Sequence, residues 1–393
     1  MRAIGTAVWL LAIGQTLTYG GVYYAFPAIL PELESATGWS KATLALGPTL
    51  ACLLMAVFAP LTGRLVDRGL GGEMLAFLPV PAAFAIALMG FVTSPAQWML
   101  LWAVVGVAQS GCLYETCFAF LTRRLGREAR PAITRVTLVA GFSGTISFPL
   151  GHWLAEAYGA AGALIGFSVL MIFVGVPANL FGARMLRALT ERAGVERAPA
   201  PPGMVRAALR KPSFWLVGTI LSLAYLNHSV LLTYVLELFG SRGAGPGMVT
   251  LAAATIGPSQ VMGRLVLMLS EARIDNRLAT FGALGALLSS AVALWLAGFA
   301  PHLIFLTALF QGAGIGIISI LRPVLIAEHL GREGFGAISG AIAIGPNLAA
   351  AAAPLVGAWL LGAGGPALLI AACGTFALIA LALWGGIRPK SSG

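Results

Sequence analysis

The sequence predicts an all-α membrane protein of twelve transmembrane helices arranged as two parallel six-helix repeats. Three observations carry this. Of 393 residues, 59% are hydrophobic and 10% charged, against about 25% charged in soluble domains, so no aqueous fold could hide the apolar surface. The hydrophobic residues fall into twelve runs, each near the ~20 residues that cross about 30 Å of hydrocarbon as a helix. Short strings recur at nearly one offset between the two halves, with hydropathy in step. The short alternating strands of a membrane barrel do not occur.

In order, the first run, 6–30, follows Arg2 like a secretion signal. It continues past Gln15 to Leu30 without a small-residue cleavage site, which marks a retained helix. Its string Tyr19-Gly20-Gly21-Val22-Tyr23-Tyr24-Ala25-Phe26-Pro27 combines residues that loosen a helix with rings and hydroxyls that suit a small solute. An interfacial aromatic belt is the competing reading, and it fits mid-depth Tyr19 poorly. Runs at 41–63 and 74–93 flank Gly63-Arg64-Leu65-Val66-Asp67-Arg68-Gly69; the fourth, 97–121, carries Glu115. The fifth, 134–155, holds Gly141, Gly144, Pro149 and Gly151, small residues that let membrane helices approach closely. The sixth is 161–183.

Residues 184–212, with Arg187, Arg192, Arg197, Arg206, Arg210, Lys211 and the Pro-rich Ala198 to Pro202, read as a cytoplasmic linker between halves 1–183 and 213–393. The seventh run, 213–238, contains Asn227 and His228, the latter about 21 Å from the cytoplasmic end. A free imidazole titrates near neutrality, so the residue is a candidate proton site or solute contact; a plain hydrogen bond to a neighbouring helix is the alternative. Runs at 248–269, 278–299, 303–326, 337–361 and 367–387 complete the set, with Gln260 and Arg264 in the eighth, Arg322 in the tenth and Asn347 in the eleventh. Ala349 to Ala353 read as a tight helix interface.

Charge placement orients the chain. Of 24 Lys and Arg, two (Lys41, Arg242) lie in loops on one side, two (Arg264, Arg322) lie inside runs, and the other 20 lie on the opposite side. By the positive-inside rule both termini are cytoplasmic, in a bacterial-type inner membrane. The net charge of +10 therefore reports topology and contact with anionic lipid, not nucleic acid. Cys52, Cys112, Cys117 and Cys373 all fall within runs without metal-ligand spacing, so neither disulfides nor a metal is indicated.

A shift of about 205 residues exposes the repeat. Leu125-Gly126-Arg127-Glu128 matches Leu330-Gly331-Arg332-Glu333, Pro149-Leu150 falls on Pro354-Leu355, and Trp9 and Tyr19 fall on Trp215 and Tyr225. With six helices per half, both halves share one orientation. This arrangement resembles the major facilitator superfamily, whose solute site between the halves opens alternately to the two faces. The string Gly63 to Gly69 resembles that family's signature between helices 2 and 3 through Gly63, Asp67 and Arg68; Leu70, Gly71 and Gly72 depart from its later glycine and basic positions. The resemblance implies that Asp67 caps and pairs at neighbouring helix ends to latch the cytoplasmic side. A turn whose charges merely face water is the alternative. Helix 5 is similar, loosely, to the glycine-rich motif of antiporters, with packing as the simpler role.

Ionisable residues at membrane depth are functional candidates because each costs at least ~2.5–3.5 kcal/mol to insert. Arg264 lies roughly 24 Å from the outer face. Gly257 to Arg264 resembles helix 8 of the monocarboxylate and oxalate/formate branches, which implies an arginine that binds a substrate carboxylate. A guanidinium fork fits a carboxylate with two bonds. Those branches often add a cation on helix 1 or 11; here those helices offer Gln15, Tyr19, Tyr23 and Tyr24, and Asn347. Glu115 and Arg322 occupy related places in the repeat and are expected to form a gate pair, with Glu115 also able to take a proton; two unrelated snorkelling side chains are the alternative.

These observations predict a monomeric secondary transporter of a small organic anion, monocarboxylate-like, coupled to a proton or counter-anion. The expected solute-binding residues are Arg264, Tyr19, Tyr23, Gln15, Asn227, His228, Gln260 and Asn347. Gating or proton coupling is expected of Glu115, Arg322, Asp67 and Arg68. A proton-coupled exporter of hydrophobic or cationic compounds is the alternative, which Arg264 opposes by repulsion. No nucleotide-binding loop and no catalytic constellation occurs, so neither ATP, a cofactor nor enzymatic chemistry is expected.

Overall fold

A computed structural model describes residues 2–192, 203–270 and 273–387 of the chain. The linker residues Ala198 to Pro202 and Arg197 lie outside the described residues. All regular structure among the described residues is helical. Eight helical stretches are long and apolar enough to cross a bilayer. Three of these, of 49, 64 and 52 residues, are too long for one crossing at 1.5 Å per residue. Each reverses at a glycine of positive φ: Gly69 (φ 96), Gly159 (φ 71) and Gly365 (φ 64). These reversals give eleven crossings, and the N-terminal helix, made more polar by Gln15, Thr16 and Thr18, is the twelfth.

The helices are α1 (residues 2–28), α2 (Lys41–Leu65), α3 (71–91), α4 (Pro95–Leu125), α5 (129–158), α6 (160–192), α7 (Pro212–Thr233), α8 (Pro246–Leu269), α9 (Asn276–Leu296), α10 (Pro301–Leu330), α11 (335–363) and α12 (366–386). Their starts follow ordinary capping chemistry. Ser40, Ser94 and Asp275 accept backbone N–H bonds at the heads of α2, α4 and α9, and Pro95, Pro212 and Pro246 sit in first turns where no donor is lost. Two helices depart from simple rods. α1 opens into a π turn over Gly20–Tyr24, where its glycines press on Ser147 and Met171. α4 is interrupted at Leu113, whose backbone is extended (φ −98, ψ −165). The linker expected to begin at 184 continues α6 as helix to Arg192.

The chain divides into two compact units, one of residues 1–205 with Gly331–Ala341 and one of residues 206–330 with 342–393. The first is centred on buried Trp98, Trp102, Ile29 and Leu44, the second on Phe239, Leu238, Ile304 and Leu369. Phe173 (72% exposed), Phe299 (86%) and Leu355 (77%) point outward. Such residues suit hydrocarbon rather than water. In the second unit α10 is held between α8 and α9. A Cβ at Gly263 would strike the backbone of Ala313, and one at Gly316 that of Gln260, so small residues set this approach.

Candidate functional site

The turn after α2 is built around Gly69, whose left-handed backbone only glycine adopts without strain. It leaves Asp67 buried and Arg68 exposed. Both carboxylate oxygens of Asp67 accept backbone N–H bonds, from Gly336 and Ala337, each at 2.8 Å. Those amides are unsatisfied donors of the first turn of α11, and a negative charge complements that end of the helix dipole. Gly63 and Gly336 lie backbone to backbone, leaving no room for a side chain at either. From the end of α6, Arg187 donates to the carbonyl of Gly69 at 2.9 Å and pairs with Glu73. Arg123 lies within electrostatic reach of Asp67.

In the first unit, polar residues of α1 repair the break in α4. Gln15, fully buried, donates through Nε2 to the carbonyl of Cys112 at 3.0 Å. The hydroxyl of Tyr19 accepts from the backbone N–H of Tyr114 at 3.4 Å. Gln109 donates to the carbonyl of Val22, in the π turn, at 2.7 Å. The Tyr19 ring lies 4.4 Å from that of Tyr114, which stacks on Phe118 at 5.0 Å. Tyr23 and Tyr24 extend the cluster, with Tyr23 52% exposed. Glu115 is half-buried in the first turn of the segment Tyr114–Leu125, electrostatically coupled to Tyr19. A helix start favours a carboxylate there.

In the second unit α7 and α10 share a side-chain network. Asn227 donates through Nδ2 to the carbonyl of Cys373 at 2.7 Å. Its Oδ1 receives Gln311 Nε2 at 2.9 Å, and the same Nε2 lies 3.4 Å from His228 Nδ1. Three residues before His228, on the same face, the ring of Tyr225 has the guanidinium of Arg322 at 5.8 Å, near the outer limit of a cation–π contact. Arg322 is 8% and Arg264 6% exposed. Gln260, half-buried, precedes Arg264 by one turn on the same face. Asn347 is half-buried in α11, where Gly345 closes on Ser222 of α7.

Of the residues expected to touch solute, Gln15 and Asn227 are fully enclosed and commit their amides to backbone carbonyls. Both hold helices together, and Tyr19 joins them by serving Tyr114. Tyr23, His228 and Gln260 retain exposed surface. Sequence reasoning passed over Gln109 and Gln311, although a glutamine at membrane depth is the same kind of signal as Gln15. It also passed over Tyr114, next to Glu115.

A family model described as Major Facilitator Superfamily matches residues 11–344. Among solved structures, the chain is similar to a proton:xylose symporter, XylE, bound to 6-bromo-6-deoxy-D-glucose. The likeness has a TM-score of 0.69 and 12% identity, and covers 98% of this chain and 96% of that one. It is a likeness of fold. No curated protein matches by sequence.

Proposed function

This chain belongs to the major facilitator superfamily, a family of membrane transporters and not of enzymes, and from that premise we propose that it is a secondary transporter of a small, monocarboxylate-like organic anion. The observation that carries this is Arg264, a guanidinium kept at 6% exposure inside α8, five residues before its end at Leu269. A planar fork of donors there matches a carboxylate, with Gln260 one turn away as a further donor. Arg322 adds a second buried positive centre to the same unit. His228 and Asn347, in the same unit, supply neutral hydrogen bonds to the solute.

Transport proceeds by alternating access, driven by a proton or a counter-anion. Glu115 and Arg322 are assigned the coupling, because protonating a carboxylate at a helix start weakens its attraction to that end and to any cation. Asp67 acts as a latch by capping α11, with Arg68 at the exposed surface of the same turn. The test is counterflow in proteoliposomes with a panel of labelled carboxylates. Uptake of at least one, lost in Arg264→Ala and only partly restored in Arg264→Lys, is expected. Unchanged uptake in Arg264→Ala would refute the assignment.

A second reading, a proton-coupled exporter of hydrophobic or cationic compounds, draws on the tyrosine cluster beside Glu115 in the first unit. Cations counterflowing while every carboxylate fails would favour it.

A further inference from the structure

We infer that Gln311 is a positioning residue that fixes which nitrogen of His228 carries the imidazole proton, so that His228 meets the solute as a hydrogen-bond donor through Nε2. The inference deepens the anion-transporter reading and rests on it only for the identity of the solute; the placement of the proton does not depend on it.

The direction of the network follows from its anchor. The carbonyl of Cys373 can only accept, so the atom of Asn227 at 2.7 Å from it is the amide nitrogen. The other end of that amide is then Oδ1, an acceptor. The Gln311 atom at 2.9 Å from Oδ1 must be a donor, which makes it Nε2. That nitrogen also points at His228 Nδ1, 3.4 Å away. An N–H aimed at a ring nitrogen requires a lone pair there, so the proton of the neutral imidazole sits on Nε2. Reversing any one amide would set two acceptors or two donors against each other. Gln311 is fully buried and Asn227 is too, so water cannot relax the constraint, whereas His228 is half-buried and keeps surface of its own.

The functional consequence is a choice of sign. A donor at Nε2 takes a carboxylate or carbonyl oxygen and turns away an N–H or ammonium group. The Oε1 of Gln311 is buried and without a hydrogen-bond partner among the described residues, so the solute meets this network through His228 alone.

The test uses the full-length protein in nanodiscs, labelled with 15N at its four histidines, with His228→Gln to identify the resonance. The expected pattern is a protonated Nε2 and an unprotonated Nδ1. In Gln311→Glu, read at a pH where the carboxylate is ionised, the neighbour can only accept, and the proton is expected to move to Nδ1. In Gln311→Met, which keeps the shape and removes the donor, a mixture of both tautomers is expected, so the assignment stays testable if the glutamate variant does not fold. A proton on Nδ1 in the unaltered protein, or a pattern indifferent to both substitutions, would overturn it. With a carboxylate that the protein counterflows, Gln311→Met is expected to raise KM about tenfold with kcat unchanged, the size of one lost hydrogen bond. A purely structural role would instead lower the amount of folded protein and leave KM alone. If no carboxylate is transported, the anion reading fails and the proton placement is still decided by the spectrum.

Discussion

α4 and α10 hold the same position in the two repeats, yet their polar groups do different work. α4 is broken at Leu113, and α1 repairs it with side chains aimed at backbone: Gln15 on the carbonyl of Cys112 and Tyr19 on the amide of Tyr114. α10 runs from Ile304 to Leu330 without a break, even through Pro323, and its Gln311 is free to bond side chains of α7. A buried amide can complete a broken helix or sit in a side-chain network, but a given N–H rarely does both. The unit with the intact helix is therefore the one whose amides form a side-chain network around a histidine.

The repeat offers a direct way to break this comparison. Gly111 and Gly316 correspond at the offset of about 205 residues. A Cβ at Gly316 meets the backbone of Gln260, whereas one at Gly111 meets the far ends of Leu78 and Met74. Gly316→Val is expected to cost about 3 kcal/mol or more and Gly111→Val about 1 kcal/mol, since side-chain ends yield and backbone does not. Thermal unfolding in nanodiscs reads the difference, and equal losses would mean that the two helices are equally confined.

Next in size is Gln311→Leu, which strips Asn227 Oδ1 of its donor. About 2 kcal/mol is expected, together with weaker solute binding. Gln15→Leu should cost about 1 kcal/mol by releasing the carbonyl of Cys112, with binding of solute little changed. A Gln15 variant that alters affinity more than stability would return that residue to the solute. Smallest is Tyr19→Phe, which forfeits one long bond; a loss of about 0.5 kcal/mol is expected in the same unfolding measurement.

Much of this architecture was legible in the sequence because hydrophobic runs report single helices. The twelve runs and the Gly63-to-Gly69 turn follow from local spacing, and the repeat from short strings that recur at one offset. The partner of Asp67 in this chain does not: its donors, Gly336 and Ala337, lie 269 and 270 residues away, and only the resemblance pointed to a helix end. The interruption at Leu113 was also hidden, because Gly111-Cys112-Leu113 differs little from glycine-containing stretches that stay helical. The backbone groups freed on either side of it are met by Gln15 and Tyr19 from another helix. Gln15 and Asn227, expected as solute contacts, bond backbone carbonyls here. A polar residue at membrane depth announces that it has a partner, and the sequence does not say whether that partner is cargo or carbonyl.

The gap at Leu113 turns one long rod into a joint. The 18-residue piece before it is fixed by Trp98 and Trp102 in the aromatic core. The 12-residue piece after it carries Glu115, Arg123 and Arg124, the last paired with Glu191 at 3.3 Å. Swivelling the short piece would strain the Tyr19–Tyr114 bond, the Arg124–Glu191 pair and the reach of Arg123 to Asp67, while the tryptophans sit on the other piece. Charge at that end of the first unit is thus mounted beside a joint that Gln15 clips on one side and Tyr19 on the other.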